Sequence, residues 1–271
     1  VIKVMTMHND QICFVFRKLA IEAGSVIMDI YNQNNFEIKI KNDDSPVTIA
    51  DEAADKIIYK GLQKAFPDIP IVTEEQANTH TEKGNTFFIV DPLDGTKEFI
   101  HRRGDFTVNI AYVVDGIPVM GVVYAPAKKR LFYTDKDFKS VEEFGPHKPQ
   151  ELGELKHINV SQPDPNQLIV VASKSHRDEA LEEYISKYNV ADSRAAGSSL
   201  KFCLIAVGEA DLYPRVGRTM EWDTAAGHAI LNGAGGYVVR YDNHKPLVYG
   251  KPSYENPFFI ACTPGLNLQK A

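Results

Sequence analysis

No apolar run in the 271-residue chain approaches the roughly 20 residues that cross a bilayer, and the longest candidates, such as Val108 to Val114, contain polar residues. No membrane span is expected. The start of the sequence lacks a charged stretch leading into a continuous hydrophobic core; His8, Asn9 and Asp10 precede its apolar pattern, which argues against a secretory signal. Cysteine is scarce. Cys13, Cys203 and Cys262 are widely spaced and odd in number, so no disulfide framework is expected and a reduced, cytoplasmic setting follows. Positive charge is in deficit, with 30 Lys and Arg against 36 Asp and Glu for a net charge of -6, and this disfavours general binding of nucleic acid. It leaves room for a small phosphorylated ligand, because carboxylates that first hold cations can then receive one. Internal repeats, low-complexity segments and His/Cys clusters are absent as well.

What is present is an ordinary globular composition, 44% hydrophobic and 24% charged, over a length that fits one large domain or two that share an interface. Ile12, Phe16, Leu19, Ala23, Val26 and Ile30 recur at alternating spacings of four and three, as on one face of a long helix. A strand is expected over Phe36 to Lys41, a turn at Asn42 to Pro46, and a second helix over Ile49 to Phe66. Ile71 to Thr73 and Phe87 to Val90 read as strands delivering Glu74 and Asp91 at their ends. Thr107 to Val114 and Val119 to Tyr124 read as a hairpin joined by Asp115 to Pro118, with a further strand over Arg130 to Thr134. Between Thr134 and His157 the pattern dissolves into charged residues, Gly and Pro, which makes this segment the expected boundary between an α+β half (1–153) and an α/β half (154–271). In the second half, strands are expected near Leu168, Asp211, Tyr237 and Phe258, and helices near Asp178, Leu200 and Ala225.

The chemistry concentrates in Asp91-Pro92-Leu93-Asp94-Gly95-Thr96. Two carboxylates three residues apart, in a turn fixed by proline and with the Leu93 carbonyl between them, make an oxygen-rich pocket. Glu74 from the neighbouring strand end adds a third carboxylate, a ligand set suited to Mg²⁺ and poorly suited to zinc. Gly95 and Thr96 open a short helix whose unpaired N–H groups suit a phosphate. Two ions so held neutralise phosphoryl oxygens and activate water. Taken singly, Asp-Pro and Asp-Gly are ordinary turn formers and Glu-Glu is ordinary surface; the combination carries the reading.

The run Asp91 to Phe99, followed downstream by Trp222-Asp223-Thr224-Ala225-Ala226-Gly227, resembles the inositol monophosphatase superfamily of lithium-sensitive, Mg²⁺-dependent phosphatases, and within it the bacterial bisphosphate nucleotidase branch. The likeness runs from about Ile12 to Ala261. It implies a layered αβαβα sandwich of the sugar-phosphatase type, with two or three Mg²⁺ ions bound by Glu74, Asp91, the Leu93 carbonyl, Asp94 and Asp223. It also implies that Asp51 pairs with Thr96 to orient and deprotonate the attacking water. Asp51 has an alternative as a residue capping the second helix. By the same likeness, His176, Ser198, Lys201 and Arg215 contact the AMP portion of a bisphosphorylated nucleotide, with Gly95 and Thr96 at the phosphate; read alone, Lys201 would be an exposed helix lysine.

The implied reaction is removal of the 3'-phosphate of adenosine 3',5'-bisphosphate, or of its phosphosulfate analogue, a clearance step in sulfur metabolism. Its rivals are an inositol phosphate phosphatase using the same centre and a nucleotide sensor without turnover. Peripheral association with the inner membrane and a monomeric or homodimeric state are both compatible with the sequence. One departure is Asp135 to Ser140, where many relatives carry a small Gly-x-Gly-Ala turn.

Overall fold

The amphipathic pattern at the start of the chain becomes helix α1 (Ile2–Tyr31), in a computed structural model that describes residues 2–33, 38–40, 46–81, 84–172 and 179–270. Ile12, Phe16, Leu19, Ala23 and Ile30 are buried, as the spacing predicts. A short antiparallel pair follows, β1 (Ile38–Ile40) with β2 (Pro46–Thr48). The ends of the strand expected over Phe36 to Lys41 lie outside the described residues, as does the turn expected before Pro46. Helix α2 (Ile49–Ala65) is started by a capping box in which Thr48 Oγ1 accepts from Ala50 N at 3.1 Å and Asp51 Oδ2 accepts from Thr48 N at 2.8 Å.

Seven strands then form one sheet in sequence order: β3 (Ile71–Thr73), β4 (Phe87–Asp94), β5 (Thr107–Val114), β6 (Ile117–Ala125), β7 (Arg130–Thr134), β8 (Ser140–Phe144) and β9 (Glu154–His157). Only β3–β4 is a parallel pair; the rest are antiparallel. A single turn of helix, α3 (Thr96–Ile100), separates β4 from β5.

Three sequence expectations change here. The hairpin turn is only Asp115-Gly116, both at positive φ (51° and 76°), so Ile117 and Pro118 belong to β6. The segment after Thr134 is not irregular, because β8 and β9 extend the sheet through it. Asp91 to Asp94 is not a turn at a strand end but the last part of β4. Asp91 pairs with Asn109 and Asp94 with Thr107, so three steps on β4 face two on β5, and the extra residue bulges at Pro92, which has no N–H for the ladder.

The remaining elements are β10 (Leu168–Ala172), α4 (Glu179–Ser186), β11 (Val190–Ala195), α5 (Leu200–Ala206), β12 (Leu212–Arg215), α6 (Ala225–Gly233), β13 (Tyr237–Arg240) and β14 (Phe259–Cys262). The second sheet runs β11-β10-β12-β14-β13, parallel through β12 and antiparallel beyond it.

Alternation along the strands sorts side chains into three buried layers. Phe88, Val90, Val108, Ile110 and Val122 pack under α1 and α2. Phe87, Ile89, Ala111 and Val123 face the opposite way, onto α5 and α6 and, beyond them, Val171, Tyr213 and Ala261 of the second sheet. Val170, Leu212 and Ile260 point outward under Leu181, Tyr184 and Ile185 of α4. The result is the expected αβαβα layering. Among the described residues, no helix is long and apolar enough to cross a membrane.

Candidate active site

Because β3 and β4 are parallel neighbours, Glu74 emerges beside Asp91, its N–H held by Val90 O at 3.1 Å. Asp223 arrives from the other half of the chain, at the end of a helical turn (Glu221–Asp223) leading into α6, with its Oδ2 accepting from Met220 N at 2.8 Å. Carboxylate oxygens of Glu74, Asp91 and Asp223 lie within 4.8 Å of one another. Burial, then the charges of Glu74, Asp94 and Asp223, pushes the Asp91 carboxyl well above the usual range. Burial, then Asp94 and Glu74, does the same to Asp223. Asp91, Asp94 and Asp223 have no ion-pair partner among the described residues. Three crowded, partly dehydrated carboxylates with oxygen donors only are a fit for a hard divalent cation, whose charge reverses the penalty.

Asp94 stands next to this triad rather than in it. Its Oδ2 accepts from Ser199 N at 2.8 Å, and burial lifts its carboxyl to about 6 against the opposing pull of Lys201 and that N–H. The Leu93 carbonyl accepts from Thr96 Oγ1 at 3.3 Å, and Leu93 N donates to Asp91 Oδ1 at 3.1 Å.

Thr96 Oγ1 also donates to Asp51 Oδ1 at 3.0 Å. Asp51 makes the contact of a helix cap and the contact with Thr96 at once: Oδ2 accepts from the Thr48 amide and hydroxyl, at 2.8 and 2.6 Å, while Oδ1 accepts from Thr96 Oγ1. Gly95 sits in the left-handed region at φ 93°, and a Cβ there would meet Ser198 Oγ and come within 2.8 Å of Asp105 O. Since α3 has only five residues, it offers individual N–H groups rather than a long helix dipole.

The opposite wall is basic. Lys201 is not an exposed helix lysine: it is 4% exposed, donates to Ser198 O at 2.8 Å, and lies 5.2 Å from the centre of the Tyr213 ring. Burial draws its ammonium down to about 8. Arg215 is half-buried; Nη2 donates to Arg218 O at 3.3 Å, whereas Nε is buried with no hydrogen-bond partner among the described residues. Both line a cleft of about 130 Å³ with Asp94, Gly95, Ser198 and Asp223. Ser198 reaches the cleft, but its hydroxyl donates to Asp94 O (2.9 Å) and Asp105 O (3.0 Å). His176 lies outside the described residues.

Two residues of this arrangement were not singled out by the sequence reading. Ser199, in the same Gly-Ser-Ser run as Ser198, gives its N–H to Asp94 and its hydroxyl to Asp223 O at 2.6 Å, so it ties the two halves of the acid cluster. Asn109 is 1% exposed on β5, its Nδ2 3.5 Å from Asp94 Oδ2; a polar residue in the apolar run Val108 to Val114 was its only signal.

The sequence profile of the Inositol monophosphatase family matches residues 8–265. The chain is 44% identical over 257 residues to a 3'(2'),5'-bisphosphate nucleotidase, CysQ, from Salmonella typhimurium, covering 92% of this chain and 97% of that one. Among solved structures it is similar to CysQ from Bacteroides thetaiotaomicron, a bacterial member of the same family, with TM-score 0.82, 37% identity, and coverage of 95% of this chain and 98% of that one. An IMPase from Thermotoga maritima matches with TM-score 0.71 and 26% identity over 91% of this chain and 89% of that one. With the profile spanning nearly its whole length and the layered fold shared, the chain belongs to the inositol monophosphatase family.

Proposed function

We propose that the protein is a Mg²⁺-dependent phosphomonoesterase that hydrolyses the 3'-phosphate of adenosine 3',5'-bisphosphate to AMP and phosphate, and that it accepts the phosphosulfate analogue. The observation that carries this reading is the meeting, in one cleft, of an acid wall (Asp94, Asp223) with a basic wall (Lys201, Arg215). A substrate with one phosphate needs only the first; a bisphosphate needs both. The likeness to CysQ nucleotidases at 44% identity points the same way.

Glu74, Asp91 and Asp223 would hold the cation, with Asp94 and the Leu93 carbonyl completing an all-oxygen set. When bound, the metal supplies charge neutralisation and lowers the pKa of water. The chain supplies the proton path. Thr96 Oγ1, held on Asp51 Oδ1 at 3.0 Å, would accept a proton from the attacking water as its own passes to Asp51. Thr48 keeps Asp51 aimed by occupying its other oxygen. Gly95, lacking a side chain, lets the phosphoryl group approach the backbone, and Lys201 and Arg215 take the phosphate that is not cleaved. A cytoplasmic setting is part of the same proposal.

Phosphate release from adenosine 3',5'-bisphosphate, inositol 1-phosphate and fructose 1,6-bisphosphate, each with and without Mg²⁺, tests the proposal. A preference of about tenfold or more for inositol 1-phosphate, equivalent to roughly 1.4 kcal/mol, would overturn the substrate assignment. Metal-dependent nucleotide binding without any phosphate release would replace the enzyme with a sensor.

A further inference from the structure

Helix α2 places Asp51 and Asp55 four residues apart, on one face. Asp51 reaches Thr96. Asp55, 6% exposed, reaches the other limb of the site: Oδ1 accepts from Thr73 Oγ1 at 2.5 Å and Oδ2 from Gln76 Nε2 at 2.7 Å. Thr73 and Gln76 are the residues on either side of Glu74-Glu75, and Gln76 N closes the turn on Thr73 O at 3.3 Å. One carboxylate therefore grips both ends of the four-residue turn that carries Glu74. Further bonds stiffen the frame: Thr79 Oγ1 accepts from Thr73 N at 3.1 Å and donates to Gln76 O at 2.6 Å.

We infer that Asp55 is a positioning residue for the cation site, setting where the Glu74 carboxylate stands relative to Asp91 and Asp223. This deepens the proposed function and rests on its reading of that triad as the metal site. Thr73 is fully buried, so its hydroxyl has no water to turn to if Asp55 is removed, and the turn must shift to satisfy it. Glu74 shifts with it, because its backbone is the middle of the turn. Asp51 and Asp55 together make α2 the ruler along which the water-activating limb and the cation-holding limb are aligned.

The test is direct cation binding to the full chain. The single tryptophan, Trp222, is adjacent to Asp223, so Tb³⁺ luminescence excited through Trp222, competed with Mg²⁺, reports occupancy without turnover. Asp55→Ala is expected to weaken binding by about tenfold or more, the range typical of residues behind metal ligands, with unfolding in chelator still cooperative. Thr73→Val and Gln76→Leu, each removing one end of the grip, are expected to weaken it less, and they keep the test open if Asp55→Ala does not fold. Asp55→Asn retains an acceptor for Thr73 and can pair with a rotated Gln76 amide, so it should bind nearly as the wild type does. Equal loss in Asp55→Asn and Asp55→Ala would mean that Asp55 acts by its charge, and wild-type affinity in Asp55→Ala, Thr73→Val and Gln76→Leu would mean that the grip is irrelevant; either overturns the inference. Absence of sensitised luminescence from the wild-type chain would instead overturn the reading of Glu74, Asp91 and Asp223 as the cation site.

Discussion

The two walls of the cleft are held in opposite ways. On the acid side four carboxylates are fastened by backbone N–H groups: Asp51 by Thr48, Asp91 by Leu93, Asp94 by Ser199 and Asp223 by Met220. On the basic wall Lys201 donates to the neutral carbonyls of Ala196 and Ser198 and sits over the Tyr213 ring, and the buried Arg215 Nε has no hydrogen-bond partner among the described residues. The acids are placed in advance, as a centre must be if it is to receive a small cation in fixed geometry, while the bases keep hydrogen-bonding capacity in reserve. Charge repulsion among fixed acids and unmet donors among the bases would both be relieved by the occupant proposed above, a metal-bound phosphate ester with a second anionic group.

That contrast would break first at the Asp51–Thr96 pair. Asp51→Asn and Thr96→Val are each expected to lower Mg²⁺-saturated kcat by about 10²- to 10⁴-fold, the range for general acid–base catalysis, with little change in KM. Steady-state kinetics on adenosine 3',5'-bisphosphate checks this; a change confined to KM would make the pair a binding feature and remove it from the proton path.

The basic wall predicts a smaller and more selective effect. Arg215→Ala should lower kcat/KM on adenosine 3',5'-bisphosphate by about 10- to 100-fold, the worth of a hydrogen bond to a charged group, and leave adenosine 3'-monophosphate within about threefold. Equal losses on both substrates would place Arg215 at the cleaved phosphate and erase the division of labour between the walls.

The same division decided what the sequence made legible. Asp91 and Asp94 share one dense run, Asp91-Pro92-Leu93-Asp94, that draws the eye to acids elsewhere in the chain, and Glu74, Asp91 and Asp223 do meet. The basic wall is assembled from separate segments, and nothing in the run Leu200 to Val207 marks Lys201 as buried against Tyr213. Strand β8 was hidden for an electrostatic reason. Its Glu142 and Glu143 interrupt the apolar alternation, yet both are buried, paired with Arg130 at 2.7 Å and with Arg17 at 2.6 Å. Arg17 then donates to the carbonyls of Lys148, Pro149 and Glu151, so one buried guanidinium organises the segment that reads as structureless. Strand β9 is exposed throughout and β11 nearly so, and an edge strand in water needs no hydrophobic pattern.

Ser198 sharpens the comparison because it stands where the walls join. Its one hydroxyl proton lies between Asp94 O and Asp105 O, an arrangement that braces the acid wall rather than reaching for a nucleotide. Ser198→Ala is expected to lower stability in urea by about 1 kcal/mol, with KM within about twofold. A rise in KM with no loss of stability would return Ser198 to the substrate.

The least direct effect lies behind the acid wall. His228 on α6 bonds Tyr249 Oη at 3.0 Å, and Tyr249 Oη donates to Thr224 Oγ1 at 3.2 Å, next to Asp223. Burial draws the imidazole down to about 3, so it stays neutral in the folded chain while the unfolded chain takes up a proton near pH 6.5. A base whose folded pKa is depressed contributes its full stability above the unfolded pKa and loses it as pH falls toward the folded one. The cost between pH 7.5 and 6 is roughly 1 kcal/mol or less, steepening to about 1 kcal/mol per pH unit below that. Urea midpoints of the wild type and His228→Asn, measured in chelator from pH 7.5 to 4.5, should converge as pH falls, because the variant lacks this proton uptake. Parallel curves would show that His228 takes up its proton at the same pH in the fold as in the unfolded chain, and the contacts from His228 to Thr224 would then carry a charge toward the acid wall below that pH instead of a neutral brace.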